Sequence, residues 1–176
     1  MGMSELTSGQ DAKGRDVRRK SFAALAFLIW LLGPSWALAG GALDGRVFSG
    51  VIGPAENPDL ADSLHFSDGY FWSDICTRCG FVPGVYTSEE TPDGIRFTGV
   101  LESDSRGQFD YTGLARHDGT MEVTIQWERK RWYWTSRREI VFQGTLEAGT
   151  QAATLIQIRQ KMTDMDADAN PLCARF

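Results

Sequence analysis

The sequence predicts an all-β fold, an antiparallel up-and-down meander of about eight strands that closes into a small barrel. Aromatic residues are plentiful, with four Trp, four Tyr and eight Phe from Phe48 onward, and glycine is frequent. Apolar residues alternate with polar ones at a period of two in several runs, whereas long helical periodicity is absent before about residue 150. Turn sequences separate these runs at strand-length intervals, which is typical of an all-β domain.

The N-terminal segment, residues 1–39, has the order of a secretory leader. A basic stretch ends at Lys20, an apolar run extends from Phe22 to Leu32, and Ala37-Leu38-Ala39 is a small-x-small cleavage sequence. The apolar run is barely long enough for a membrane-spanning helix, which needs about 20 residues, so we expect cleavage near Ala39 rather than a retained anchor. The mature protein would then be periplasmic or secreted, without stable membrane insertion.

The chain beyond the leader is expected to form one domain and a tail. The β-barrel domain covers residues 40–149, and residues 150–176 form an acidic, loosely ordered tail in which Ala152 to Met162 could be one short helix. This part of the chain holds 13 basic and 20 acidic residues, a net charge of −7. So acidic a surface argues against nucleic acid and against anionic membranes as main partners.

Alternation and turns place the strands in order. The clearest alternation runs from Met121 to Trp127, where apolar residues share one face and polar residues the other. Asp68-Gly69 lies between two aromatic runs and is a strong signal for a two-residue hairpin turn. The expected strands, with ends uncertain by about 2–4 residues, lie at residues 46–52, 62–67, 70–74, 84–89, 94–103, 108–117, 120–129 and 137–147.

A repeated pattern favours a barrel over a two-sheet sandwich, whose inner faces also alternate. Aromatic-x-Gly-x-aliphatic occurs from Phe48 to Ile52, from Phe97 to Leu101 and from Phe142 to Leu146. The Gly shares a side of the strand with the ring, so it makes room for a neighbouring ring or lets the strand bend sharply. Strong curvature, an even strand number and short turns are typical of a closed barrel.

One stretch carries a resemblance to a known group of proteins. Its residues are Phe66-x-Asp68-Gly69-x-Phe71-x-Ser73-x-x-Cys76, then Gly80-Phe81 and Tyr86-Thr87. Over roughly residues 60–146 the chain resembles small exported bacterial β-domains of lipocalin-like character and undefined function. The Gly-x-Trp signature of lipocalins is missing, since Val47-Phe48 follows Gly45-Arg46. The resemblance implies the barrel fold and no catalytic residue.

Three cysteines follow the leader. Cys76 and Cys79 have the CxxC spacing of redox and metal sites, but the βαβ context of a thioredoxin-like fold is absent, Gly80 replaces the His of a haem-attachment motif, and zinc ligands are too few. Export favours a structural disulfide, and no metal or cofactor is expected. The closeness of the two thiols favours the pair Cys76–Cys79, with Cys173 as the alternative partner.

Residues 128–138 combine aromatic and basic side chains around the expected last hairpin. One interpretation is a platform for stacking and cation–π contact with a sugar, a polyanion or a partner protein. The favoured one is a hairpin tip whose Trp rings cover one barrel mouth while solvated charges surround them. The candidate partner-binding residues are Arg129, Lys130, Arg131, Trp132 and Trp134.

Together these features predict an exported, non-enzymatic barrel, either a stable envelope module or one that binds a small hydrophobic or aromatic ligand. An eight-stranded barrel is filled by side chains or just wide enough for one small ligand, and the many rings favour filling. The alternative is a protein-binding module, such as an inhibitor of an envelope hydrolase acting through residues 128–138; a CxxC redox enzyme is least favoured. The candidate ligand-binding residues are Phe97, Tyr111, Trp127 and Phe142.

Overall fold

The structure, a computed structural model, describes residues 41–168 and 170–175, so the predicted leader at residues 1–39 lies outside it. Eight strands, connected mostly by short turns, make up most of the described chain. They are β1 (Val47–Gly53), β2 (Leu60–Ser67), β3 (Tyr70–Ser73), β4 (Gly84–Thr91), β5 (Gly94–Ser103), β6 (Gly107–Arg116), β7 (Thr120–Arg131) and β8 (Trp134–Leu146).

The strands form a closed barrel. Each strand pairs antiparallel with the next, and β8 pairs with β1, so the sheet has no free edge. Across the closing seam Phe48 lies opposite Leu146, and Gly53 lies opposite Val141. The predicted all-β meander barrel is confirmed, and the sandwich alternative is excluded because its two sheets would leave this seam unpaired.

The turn between β2 and β3 has the predicted residues and register. Asp68 and Gly69 have φ values of 56° and 77°, and two positive φ angles are the mark of a type I′ turn, whose twist suits a hairpin. The turn places Phe66 opposite Phe71, as expected. Both side chains are fully buried, so this register sends both rings into the barrel.

Two glycines, Gly99 of the repeated aromatic pattern and Gly113 on β6, make room for rings. A Cβ atom on Gly99 would lie 2.4 Å from the Phe71 ring, and one on Gly113 would lie 2.4 Å from the Phe97 ring. Those distances are far below van der Waals contact. The rings therefore lie directly over the glycines, which allows a narrow barrel to hold many aromatic side chains.

Within residues 41–168 and 170–175, three short helical segments accompany the barrel: α1 (Asp74–Arg78), α2 (Leu155–Thr163) and a 3₁₀ helix (Pro171–Arg175). Helix α1 is not among the predicted elements, whereas α2 lies close to the expected tail helix. Thr154 and Gln157 exchange side-chain-to-backbone hydrogen bonds at the start of α2, a capping box that explains where it begins. No helix in the described part of the chain is long and apolar enough to cross a membrane.

The β7–β8 hairpin is longer than predicted. Strand β7 continues to Arg131 and β8 begins at Trp134, so residues 132 and 133 alone form the turn. The expected strands leave out residues 130–136, which lie in a segment where charged side chains are dense. Aromatic and β-branched residues such as Trp134 and Thr135 favour extended backbone, and their pairing continues the ladder.

The disulfide joins Cys79 to Cys173, with Cα atoms 5.2 Å apart, so the favoured pair Cys76–Cys79 is wrong and the alternative partner Cys173 is confirmed. Cys76 is a buried free thiol. Helix α1 explains the difference, because it sends the Cys76 sulfur inward, 3.3 Å from the Tyr111 hydroxyl. Cys79 instead follows the helix as its C-cap and meets the 3₁₀ helix of the tail.

Candidate functional site: the open mouth of the barrel

One end of the barrel, where β1 begins and β8 ends, is plugged by the chain itself; we call it the closed end. Leu43, from the segment before β1, is fully buried there. The neighbouring Asp44 carboxylate accepts a hydrogen bond from the Tyr86 hydroxyl at 2.8 Å. The Phe66 ring meets the rings of Tyr86 and Phe97 edge to face, each with centroids 5.0 Å apart. Aromatic packing fills the interior around these rings, and a pocket of about 380 Å³ lined in part by Arg46, Glu90 and Arg116 lies at the same end.

The opposite end opens into a pocket of about 370 Å³, which we call the mouth pocket. It lies between α1 and the adjoining ends of β1, β2, β6, β7 and β8. A cavity of this size can hold one small ligand. The lining is mostly apolar and consists of Ile52, Gly53, Pro54, Leu60, Ile75, Cys76, Phe109, Trp127, Arg138, Glu139 and Ile140.

Helix α1 forms one wall of the mouth pocket, and two buried polar side chains hold it. The Ser73 hydroxyl, at the N-cap, accepts the Cys76 N–H at 3.1 Å and donates to Asp62 at 2.6 Å. Asp62, on β2, also accepts the Ile75 N–H at 2.9 Å. The first turn is therefore fixed both by its own cap and by the neighbouring strand, which sets Ile75 and Cys76 against the pocket.

Burial controls the ionisation of this polar cluster. Loss of hydration raises the pKa of the Asp62 carboxyl from 3.8 to about 6, although the hydrogen bonds from Ser73 and Ile75 oppose the shift. Burial also raises the pKa of the Cys76 thiol to about 12 and that of the Tyr111 hydroxyl well above its usual value. Because the thiolate is the reactive form, Cys76 serves at neutral pH as a small apolar wall residue.

Trp127 and Arg138 lie opposite each other on β7 and β8, at the entrance of the pocket. The Arg138 guanidinium carbon is 5.6 Å from the centroid of the Trp127 ring, a cation–π contact. The indole N–H of Trp127 donates to the Arg106 carbonyl at 3.0 Å, which fixes the ring. Among the described residues no carboxylate forms an ion pair with Arg138, so a positive charge stands at the entrance.

The C-terminal tail is fastened to the same end of the barrel. The Arg106 guanidinium donates to the Cys173 carbonyl at 2.8 Å and pairs with Asp168. Together with the Cys79–Cys173 disulfide, these contacts fix the 3₁₀ helix beside α1. Arg106 also accepts the hydrogen bond from Trp127, so one residue connects the tail to the entrance of the mouth pocket.

All four candidate ligand-binding residues are buried, but only Trp127 lines the mouth pocket. Phe97, Tyr111 and Phe142 are at most 1% exposed and lie in the filled part of the barrel. Alternation along a strand predicts correctly that all four side chains point inward. Whether an inward side chain borders the mouth pocket depends on its position along the barrel axis and on which end is plugged. Alternation predicts neither.

The five candidate partner-binding residues lie together on the end of the β7–β8 hairpin. Trp132 is 94% exposed and Trp134 is 47% exposed, so the interpretation in which these rings cover a barrel mouth is wrong. Because β7 and β8 pair continuously up to a two-residue turn, both rings lie beyond the mouth. Trp127 lines the mouth pocket, whereas Trp132 and Trp134 do not. Among the basic residues, Lys130 forms an ion pair with Glu128 at 2.9 Å.

Ten of the eleven pocket residues were not predicted as ligand-binding, among them Ile75, Phe109, Arg138 and Ile140. Ser73 followed by Asp74 is a helix-start signal, an N-cap serine with an acidic residue in the first turn, and it could have revealed α1 and hence Ile75. Arg138 has no local signal, because its position at the entrance depends on lying opposite Trp127 across the hairpin.

A wider groove of about 510 Å³ runs over the outer surface of β4, β5 and β6. Its lining includes Val85, which is 62% exposed, and Val100, which is 37% exposed. Both side chains point away from the core. Because ligand sites usually enclose most of the ligand surface, this groove is less suited to a small molecule than the mouth pocket is.

The mouth pocket combines apolar walls, an indole ring and the Arg138 guanidinium, and the Glu139 carboxylate in its lining accepts a hydrogen bond from Gln126. This arrangement is suited to an apolar molecule with an anionic end. Within the described ranges no group of three or more His, Cys, Asp or Glu side chains could hold a metal ion. No family model matches the chain, and no curated protein and no solved structure matches it either.

Proposed function

We propose that the protein is an exported, non-enzymatic barrel that binds a small apolar or aromatic molecule in the mouth pocket. The apolar lining of the mouth pocket is the observation that supports this function. A pocket of similar size, about 380 Å³, lies at the closed end, but its lining includes the charged or polar side chains of Arg46, Glu90, Arg116 and His117. The mouth pocket, of about 370 Å³, has mostly apolar walls. In an eight-stranded barrel the interior has room for one small ligand where side chains leave it unfilled.

The lining indicates the chemistry of the ligand. Ile75 and Ile140 offer aliphatic walls, Phe109 and Trp127 offer rings, and Arg138 offers a positive charge at the entrance. A molecule with an apolar body and one carboxylate, sulfonate or phosphate would place its body against the walls and its anion against the guanidinium. Aromatic acids and medium-chain fatty acids fit this description.

The pocket is also held ready for a ligand. Asp62 and Ser73 accept hydrogen bonds from backbone N–H groups of α1 and fix it, and the Arg106 carbonyl accepts the Trp127 indole N–H and fixes the ring. Walls that need no reordering reduce the entropy lost on binding. The proposed ligand therefore enters a site whose shape exists before it arrives.

A titration with 1-anilinonaphthalene-8-sulfonate tests the proposal, because this fluorescent probe has an aromatic body and one sulfonate. We expect saturable binding of one probe molecule per chain to the native protein, with a rise in fluorescence. Decanoate should displace the probe, since its aliphatic chain and carboxylate match the same walls and the same guanidinium.

Matched variants on β8 locate the binding. Ile140→Phe places a larger side chain in the mouth pocket and should abolish probe binding. Leu146→Phe makes the same kind of change on the same strand at the closed end, where the side chain is 40% exposed, and should leave binding unchanged. Equal binding by both variants would contradict the proposed site.

Export is part of the proposal and rests on the basic, apolar and Ala-x-Ala order of residues 1–39. Sequencing of the exported protein should give an N-terminus at or near Gly40. A protein that keeps Met1 and sediments with membranes would refute this part, whatever the outcome of the probe titration.

A further inference from the structure

The β7–β8 hairpin projects beyond the barrel wall. The last pair between β6 and β7 joins Gln108 to Glu128, and the last pair between β1 and β8 joins Gly53 to Val141. Residues 129–136 pair only within the hairpin, and we call them the ribbon. At about 3.3 Å per residue the ribbon extends roughly 10–13 Å past the sheet.

Three consecutive aromatic residues form the end of the ribbon. Trp132 is 94% exposed, Tyr133 65% and Trp134 47%, and neighbouring ring centroids lie 4.8 Å and 6.3 Å apart. Elsewhere in the described chain, Trp72 and Trp127 are at most 5% exposed. A cluster of large rings left in water at one point marks an interaction surface.

Basic side chains stand directly behind these rings. Residues 128–138 carry five basic residues and one acidic residue, a net charge of +4, whereas the whole chain beyond Ala39 carries −7. Glu128 is paired with Lys130 at 2.9 Å and Arg137 at 2.6 Å, so its single negative charge is already shared. The net charge of the protein thus conceals a strongly positive projection on an acidic body.

We propose that the ribbon docks reversibly on an anionic phospholipid surface. Trp and Tyr rings prefer the boundary between headgroups and acyl chains, and Lys and Arg are attracted to anionic headgroups. The order along the ribbon, rings at the tip and cations one to three residues behind, matches the order of those layers in a bilayer. The ribbon, at roughly 10–13 Å, is long enough to reach the roughly 5–10 Å to which interfacial segments are buried while the barrel stays outside.

A fluid surface fits this ribbon better than a folded protein partner does. Trp132 and Tyr133 form the turn and Trp134 begins β8, so the three exposed rings lie at the tip of the ribbon rather than along one of its faces. A folded partner with a flat surface would cover only one side of this tip. A lipid interface surrounds an inserted tip and covers every ring.

Docking would also set the orientation of the barrel. The acidic body is repelled by an anionic surface while the ribbon is attracted, so the ribbon points toward the lipid. Arg138 at the entrance of the mouth pocket lies only four residues along β8 from Trp134. The mouth pocket would therefore open close to the membrane surface, at about 13 Å from the rings.

Flotation with vesicles tests the proposal. The exported protein, with its N-terminus established by mass spectrometry, is mixed with vesicles of equal parts phosphatidylcholine and phosphatidylglycerol, or of phosphatidylcholine alone. We expect binding to the anionic vesicles that weakens with salt, and little binding to the neutral ones. Binding should also shift the tryptophan emission to shorter wavelength as the ribbon rings leave water.

Matched variants separate the ribbon from the rest of the molecule. The double variant Trp132→Ala with Trp134→Ala should lose binding by about tenfold or more, whereas Ile156→Ala, at a side chain that is 77% exposed outside the ribbon, should not. Arg131→Gln should weaken binding about fivefold, since a basic residue near an anionic surface contributes about 1 kcal/mol. Arg96→Gln, an exposed arginine on β5, is its control.

The outcomes are distinct from those of the proposed function. Ile140→Phe, which fills the mouth pocket, should keep full vesicle binding. Absence of binding to anionic vesicles, equal binding to both kinds of vesicle, or unchanged binding by the Trp132 and Trp134 variant would each overturn the lipid proposal. A ribbon that binds no lipid but is shielded from water by a folded partner protein would overturn it in favour of the protein-binding alternative.

Discussion

The two ends of the barrel contain similar inward-facing residues but differ in what covers them. At the closed end Leu43 enters from the preceding segment, and the rings of Phe66 and Phe97 fill the space below it. At the open end α1 has five residues and covers only part of the opening, so the mouth pocket remains. The segments at its ends, more than the number of inward rings, therefore determine where apolar space remains, because the pocket at the closed end has charged residues such as Glu90 and Arg116 in its lining.

The polar contacts at the two ends differ as well. Asp44 at the closed end is partly exposed and accepts hydrogen bonds from Gly69 and Tyr86. Asp62 at the open end is only 4% exposed, and its carboxyl has a raised pKa because burial removes its hydration. A buried carboxyl is costly in free energy, and what it provides here is a fixed position for the wall of the mouth pocket.

Core truncation should show the largest difference between the ends. Phe97→Ala removes a fully packed ring at the closed end and should lower the free energy of unfolding by about 3–5 kcal/mol. Ile140→Ala at the partly exposed open end should cost about 1 kcal/mol, since its neighbours already border a cavity. Urea unfolding of both variants measures this, and equal losses would mean that the two ends are packed alike.

The second largest loss of stability is expected on reduction of the disulfide at the open end. The bond encloses a sequence separation of 94 residues, so its reduction should cost about 2–4 kcal/mol. Thermal unfolding with and without reductant measures the loss in the wild-type protein.

Two cysteine variants identify the bond responsible for that loss. Cys76→Ala keeps the Cys79–Cys173 bond and should respond to reductant like the wild-type protein. Cys173→Ser has lost the bond and should not respond. Peptide mapping that links Cys76 to Cys79 in the wild-type protein would refute the pairing.

The buried carboxyl at the open end should give stability a specific pH dependence. The folded state raises the pKa of Asp62 from 3.8 to about 6, so the folded protein binds more protons than the unfolded chain between these values. Its contribution is therefore fully present below about pH 4 and is lost as the pH rises to about 6. The loss is at most about 3 kcal/mol, since one pKa unit corresponds to about 1.4 kcal/mol.

The comparison with Asp62→Asn isolates this effect. Carboxyls whose pKa is lowered, such as those of Asp74 and Glu128, have the opposite pH dependence, but they are present in both proteins and cancel in the difference. The free energy of unfolding of the wild-type protein minus that of the variant should fall between pH 4 and pH 6 and then level off. A difference that rises or stays constant would show that Asp62 is ionised in the folded protein.

The smallest predicted effect concerns the entrance. Arg138→Gln should weaken binding of 1-anilinonaphthalene-8-sulfonate by about 1–2 kcal/mol, because the exposed guanidinium contributes one charge-assisted contact. Arg96→Gln, an exposed arginine outside the mouth pocket, should leave the affinity unchanged. An uncharged naphthalene probe should bind both variants equally, and a loss there as well would mean that Arg138 only maintains the pocket shape.

Most of the fold follows from local patterns. Strand β7 alternates between buried and exposed side chains from Met121 to Trp127. The Asp68-Gly69 turn sets the register between β2 and β3 through two positive φ angles. These are properties of neighbouring residues, so they can be read along the chain. The expected strands stop short of the ribbon, because β7 and β8 pair there with each other and with no other strand.

The site could be predicted only in part, because it depends on contacts between distant segments. Trp127 is at the mouth pocket as expected, whereas Phe97 and Phe142 have the same alternation and lie in the filled part. The disulfide depends on the side of α1 to which each thiol points, and α1 itself has only five residues. Sequence spacing alone favours the nearer thiol and leads to the wrong pair.

Methyl NMR tests most directly the claim that the mouth pocket, and not the more polar pocket at the closed end, binds an apolar ligand. Isoleucine methyl groups are labelled and the protein is titrated with decanoate. The methyl signals of Ile52, Ile75 and Ile140, which line the mouth pocket, should shift together along one saturable curve, while that of Ile95 near the closed end should not move. Shifts at Ile95 with none at the three pocket isoleucines would contradict the assignment of the open end as the binding site.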